Sequence, residues 1–160
     1  MISATAEYAL RAVVFLAQTP ELPRTAQEIS EGTKVPVGYL SKILQALVRK
    51  ELITSQRGLG GGFTLCKDIG EITVYDVFAA VDGAPERIRA CPLGLKGHVS
   101  LCPVHKLVDD ALGKIEDAFR SATIKQLARS TRGSKPLCEV NDDAEDEAPA
   151  APAKKSRAKG

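Results

Sequence analysis

Cys91, His98, Cys102 and His105 lie within one fifteen-residue stretch, and they include both histidines of the chain. Thiolate and imidazole are the soft and borderline donors that hold zinc or iron. The spacing, Cys-x6-His-x3-Cys-x2-His, would suit a tetrahedral zinc ion in a loop able to fold around it. The same residues have simpler readings. Cys91 and Cys102 could be a thiol pair that oxidises to a disulfide, or small buried hydrophobes, and His98 alone reads as a solvent-facing loop residue. Cys66 ends a strand candidate and reads as core, and Cys138 sits in a polar tail with no site role. The four cysteines make no disulfide framework.

A second stretch, Pro36 to Lys50, carries chemistry of another kind. Val37, Leu40, Ile43, Leu44, Leu47 and Val48 recur at helical steps and form an apolar stripe. Gly38, Tyr39, Ser41, Lys42 and Gln45 lie off it, and Arg49 and Lys50 close the last turn. Such a helix, its apolar face docked and its other face small, polar and basic, can enter a DNA major groove. Taken alone it equally fits an ordinary surface helix. No nucleophile–base pair, phosphate loop or paired carboxylates stand in a placed context, so the chain does not read as an enzyme.

The neighbouring elements decide between these readings. A helix capped by Ser3 or Thr5 should run to about Thr19, with Ala6, Ala9, Leu10, Val13, Val14, Leu16 and Ala17 inward and Pro20 to Pro23 ending it. Thr25-Ala26-Gln27-Glu28 fits a capping box, opening a short helix with Ala26, Ile29 and Ser30 inward that stops at Gly32. Pro36 then suits the first turn of the next helix. Short helix, tight turn and second helix make a helix-turn-helix. Beyond Lys50 the period changes to two: Leu52–Arg57 and Gly62–Cys66 are strand candidates around the tip Gly58-Leu59-Gly60-Gly61. A glycine-rich hairpin directly behind such a helix is a wing. The tip, with Leu59 and Gly60, could press backbone against DNA, and Arg57 could enter a minor groove.

Thr73 caps a helix that ends at Gly83, and residues 84–102 read as a loop. From Pro103 the stripe Val104, Leu107, Val108, Ala111, Leu112, Ile115 and Phe119 is too long and one-sided to stay solvated. It should pack on the first helix and on a second copy of itself. A last short turn spans Ile124 to Ala128, and from Ser130 the Ala, Pro, acid and Lys composition predicts disorder. Lys154 to Lys159 read as a solubilising tail.

Net charge over the 160 residues is +2, too small for a whole-protein field. Residues 130–160 balance six basic groups with six acids, leaving the +2 to the folded part. Lys34, Lys42, Arg49, Lys50 and Arg57 face a lone acid, Glu51, in the helix–wing region, a local basic face suited to phosphate. No stretch has the length of a membrane span and no basic leader opens the chain, so a cytoplasmic protein without membrane contact is expected.

With these elements in place, residues 1 to about 128 resemble the Rrf family of bacterial winged-helix transcriptional regulators. The carriers are Glu7-Tyr8-Ala9-Leu10-Arg11, Val37-Gly38-Tyr39-Leu40, Arg57 to Phe63, Ile72 to Val77 and Val81-Asp82-Gly83, followed by a cysteine-bearing loop and a long helix. The resemblance implies a homodimer, crossed through the long helix, that reads a roughly palindromic double-stranded operator. It places Val37, Gly38, Tyr39, Ser41 and Lys42 at the major groove and Arg57 at the minor groove. Gly38 offers no side chain, so specificity must lean on Tyr39, Ser41, Lys42 and Gln45. Cluster-bearing relatives carry three loop cysteines; here Cys91-Pro92-Leu93-Gly94 and Cys102-Pro103-Val104-His105 match, but His98 stands where the middle cysteine is expected. Imidazole can replace thiolate on iron. His105 matches a family position. Glu7 is a further candidate ligand, supplied by the partner subunit's first helix, against the plainer reading of a charge favoured by the helix dipole.

The resulting expectation is a mainly α protein with a small β-wing. Residues 1–83 form a winged helix-turn-helix domain, 84–102 a sensor loop, 103–129 the dimerisation helix and final short helix, and 130–160 a disordered tail. It is a DNA-binding regulator, expected to be a repressor, controlled by an iron–sulfur cluster (2Fe–2S in preference to 4Fe–4S) or by redox-active thiols. The alternatives are a zinc-stabilised regulator, a metal-free one controlled by a partner protein or thiol oxidation, and a winged-helix interaction module that never touches DNA.

Overall fold

The computed structural model describes residues 2–84, 86–91 and 100–129. His98, Cys138 and the tail from residue 130 lie outside them. Among the described residues the chain runs α1 (Ala4–Ala17), α2 (Ala26–Thr33), α3 (Val37–Arg49), β1 (Ile53–Gln56), β2 (Gly62–Leu65), α4 (Val74–Val81), α5 (Pro103–Ser121) and α6 (Ile124–Ala128).

Local chemistry sets most of these boundaries. Ser3 caps α1, its hydroxyl oxygen accepting the Ala6 N–H at 3.0 Å. Thr25 and Glu28 form the expected capping box on α2, and Thr73 with Asp76 forms another on α4. Thr123 and Gln126 do the same for α6, which lets a five-residue helix stand. The end of α2 differs from expectation. Gly32 stays helical and the left-handed turn falls on Lys34, with φ 55°. Gly32 answers to packing instead: a Cβ there would come 2.1 Å from the Phe15 ring. Pro36 is the N-cap of α3 rather than a first-turn residue, and its carbonyl accepts from the Tyr39 and Leu40 N–H groups.

The core gathers Val13, Leu16, Ile29, Val35, Leu40, Leu44, Leu47 and Ile53, all nearly solvent-free. It sits where α1, α2, α3 and α4 meet. Of the expected α3 stripe, Leu40, Ile43, Leu44 and Leu47 are buried, Val48 is half-buried and Val37 is exposed.

The wing is an antiparallel pair with register Ile53↔Leu65 to Gln56↔Gly62. It is not a free hairpin. Arg24, in the connection before α2, exchanges both backbone hydrogen bonds with Phe63 at 3.0 and 2.8 Å. Gly58 and Gly60 take positive φ at the tip, where glycine alone does so without steric cost. Cys66, read as core, is exposed: β2 ends at Leu65, and the Cys66 N–H reaches back to the Leu52 carbonyl while its thiol faces out.

The long helix also departs from expectation. α5 lies on α4, with Phe78 and Phe119 rings 5.4 Å apart, and α4 in turn lies on α1. Packing of α5 on the first helix is therefore made through α4. Its end is fixed through α6: Val74 N–H donates to Ala122, Ile124 N–H to Ile72, and the Ile124 side chain is fully buried. Along α5, Val104, Leu107, Val108 and Ile115 remain exposed.

Candidate nucleic-acid interface and effector loop

Docking of α3 through Leu40, Ile43, Leu44 and Leu47 turns its opposite face outward. Val37, Gly38, Tyr39, Ser41, Lys42 and Gln45 are all exposed there. A Cβ on Gly38 would meet nothing within 4 Å, so the protein's own packing does not require glycine at this position. The Ser41 hydroxyl donates to the Val37 carbonyl at 3.1 Å, which leaves its oxygen free to accept from a ligand. Tyr39, 64% exposed, is propped edge-on by Tyr8, with ring centroids 6.3 Å apart. The Arg11 guanidinium stands over Tyr8 at 5.7 Å, donates to the Thr33 carbonyl and pairs with Glu7. The sequence did not disclose this prop, which needs α1 and α3 to cross at those residues. Arg57, Leu59 and Gly60 are exposed at the wing tip, which follows α3 in the chain.

The second cluster joins the loop to the start of α5. Cys102 is the N-cap of α5, and His105 lies in its first turn. His105 Nδ1 is 3.2 Å from Cys102 Sγ and 3.7 Å from Cys91 Sγ. Cys91 and Cys102 thus each approach His105, His98 lies outside the described residues, and Glu7 is engaged with Arg11 instead. The short contacts are thiol–imidazole hydrogen bonds. Among the described residues no three His, Cys, Asp or Glu side chains are already grouped to hold a metal ion. The donor chemistry fits a soft metal, but two sulfurs and one nitrogen need a further donor for a four-coordinate shell.

The loop reaches this position through an ion pair that spacing did not signal. Arg87 grips Asp109 on α5, and the Ile88 N–H adds a third bond to the same carboxylate. Hydrogen bonding from Arg87 holds the Asp109 carboxyl down to about 2, against desolvation, with the Ile88 N–H and the positive charge assisting. A folded value below the ordinary 3.8 stabilises the attachment above that ordinary value and loses it as pH falls through about 2. The Asp109 carboxyl resonance should therefore show no titration from about pH 8 to 5. A midpoint at or above the ordinary 3.8 would contradict the assignment.

Among the described residues, five short helices and one long one, a helix pair with an outward basic face and a following two-stranded wing define a winged helix-turn-helix DNA-binding regulator. The chain belongs to the Rrf2 family, described as iron-dependent transcriptional regulators, which matches residues 2–130. It is 33% identical over 114 residues to YwgB of Bacillus subtilis strain 168, named as an HTH-type transcriptional regulator, covering 71% of this chain and 72% of that one. It is 28% identical over 130 residues to the HTH-type transcriptional regulator IscR of Cronobacter sakazakii, covering 81% and 80%. The fold matches that of CymR, the global cysteine regulator of B. subtilis, with a TM-score of 0.67 at 23% identity, over 80% of this chain and 95% of that one. The members of the family are transcriptional regulators and not enzymes. Among the described residues no helix is long and apolar enough to cross a membrane.

Proposed function

We propose that this transcriptional regulator binds a palindromic operator as a homodimer, most simply as a repressor, and that the 91–105 loop sets its affinity. The observation that carries the DNA reading is the exposed face of α3 beside an anchored wing. Val37, Gly38, Tyr39, Ser41, Lys42 and Gln45 meet the major groove; Arg57, with Leu59 and Gly60, follows the backbone into the minor groove. Exposed Val104, Leu107, Val108 and Ile115 on α5 supply an apolar seam for a second copy. Dimerisation through it fixes the separation of the two α3 helices, as a palindrome demands.

Cys91, Cys102 and His105, with His98 as the further donor, would hold a soft metal; the iron in the family's description favours an iron–sulfur cluster, 2Fe–2S before 4Fe–4S. Bound, the group would supply an oxidation-sensitive set of bonds to the loop. Glu7 of a partner subunit could join them only by leaving Arg11. Ordering of the loop against α5 then biases the spacing of the α3 pair. The second reading is thiol oxidation without metal. It is favoured by two half-buried thiols sharing one imidazole. Absorbance with iron, sulfide and zinc analysis on protein purified without oxygen separates them. Operator affinity that is identical for loaded, bare and oxidised protein would remove the loop from the mechanism altogether.

The interface makes its own prediction. Lys42→Ala and Arg57→Ala should weaken binding across all sequences and lower the slope of log affinity against log salt by about 1 each. Tyr39→Ala should instead cost roughly 1–3 kcal/mol on the operator and little on random DNA. Fluorescence anisotropy at several salt concentrations checks both. Unchanged slopes would remove Lys42 and Arg57 from the phosphate contacts, and binding by the unaltered chain that ignores salt altogether would leave an interaction module that avoids DNA.

A further inference from the structure

The segment ahead of Cys91 meets α5 through a three-part contact. Arg87 Nε lies 2.7 Å from Asp109 Oδ1 and its Nη2 lies 2.7 Å from Oδ2. The Ile88 N–H donates to Oδ1 at 2.9 Å. The same guanidinium lies over Gly113, where a Cβ would come 2.8 Å from Nη1 and 3.0 Å from Cζ. Gly113 is the buried residue of α5. Glycine is unfavourable inside a helix, and here the guanidinium resting on its bare backbone gives the position a reason. Asp109 and Gly113 follow His105 at successive turns, so all three lie along one side of α5.

We propose that Arg87, Asp109 and Gly113 form a clamp that positions Cys91, and Cys91 alone, at His105. The inference rests on the loop reading above for its purpose but not for its test. Cys102 caps α5 and stands beside His105 by covalent geometry. Cys91 has no such tether. It is four residues beyond Arg87, and the 3.7 Å approach of its Sγ to His105 depends on where that segment is held. Arginine is required because its planar fork takes both carboxylate oxygens while still covering Gly113, which a lysine ammonium cannot do.

The test is brief alkylation of the reduced, chelator-treated full chain with iodoacetamide, scored per cysteine by mass spectrometry, with Cys102 as the internal standard. Asp109→Asn and Gly113→Ala should each raise labelling of Cys91 relative to Cys102 by about tenfold, as local opening becomes more populated. Arg87→Lys should not restore protection. Gly113→Ala is the informative variant, since alanine favours the helix while its methyl evicts the guanidinium. Helix content should therefore hold, by circular dichroism, as Cys91 is released. An unchanged ratio in both variants, or an equal rise at Cys102, overturns the clamp. Failure of the loop reading shows separately, as operator affinity of the unaltered chain that ignores loading and oxidation.

Discussion

Leu44→Ala is expected to cost the fold about 3 kcal/mol, within the usual range of about 2–5 for a buried leucine. Leu44 is 1% exposed in the middle of α3 and belongs to the cluster shared with α1 and α2. Truncation leaves a cavity beneath the helix that offers the candidate reading face, and rigid neighbours on every side limit collapse. The measurement is urea unfolding followed by circular dichroism, where the midpoint should fall with an unchanged slope. Gln45, its exposed neighbour, provides the contrast: Gln45→Ala should move stability by no more than about 0.5 kcal/mol. A larger loss of stability there would mean that Gln45 is not the exposed residue described. A loss below about 1 kcal/mol for Leu44→Ala would mean that α3 is not seated as described.

Gly62→Ala should be nearly as damaging for a different reason. A Cβ at Gly62 would lie 2.7 Å from the Arg24 carbonyl carbon and oxygen, and backbone cannot swing aside as a side chain does. Relief requires parting Arg24 from Phe63, which breaks two backbone hydrogen bonds. Each is worth about 1 kcal/mol net, so a loss of about 2 kcal/mol follows. Hydrogen exchange should quicken at the Arg24 and Phe63 amides while Leu44 and Leu47 in α3 keep their protection. DNA affinity should fall by the contribution of the wing and not vanish. Uniform loss of protection across α3 would show that wing and helix are not separable in this way.

Features that depend on near neighbours were readable from sequence, and features that depend on distant ones were not. The capping box at Thr25 and Glu28, the change of period after Lys50 and the outward residues of α3 follow from spacing alone. Glycine near a helix end signals a stop, whereas at Gly32 the Phe15 ring, seventeen residues earlier in the chain, claims that space. The strand ends one residue before Cys66, and a single residue at a strand end is enough to turn a side chain outward. The stripe of α5 calls for a packing partner, but nothing in it says that the partner is α4, through Phe78, with α1 beyond. Of the candidate site, Cys91, Cys102 and His105 were legible as donors, while Arg87 and Asp109, 22 residues apart, are ordinary charges until the chain is folded.

The Arg24–Phe63 bridge has a bearing on operator architecture. It makes the connection before α2 a third edge of the wing, and β1 leaves α3 after only a short turn. Helix and wing tip therefore behave as the two jaws of a caliper with a fixed opening. On a duplex, one inserted base pair displaces the next contact by roughly 3.4 Å along the axis and also rotates it around the helix. A fixed caliper cannot follow that step. On the palindromic operator proposed above, spacing within a half-site should thus be intolerant of insertion, while any latitude between half-sites would belong to the joint between the two proposed copies.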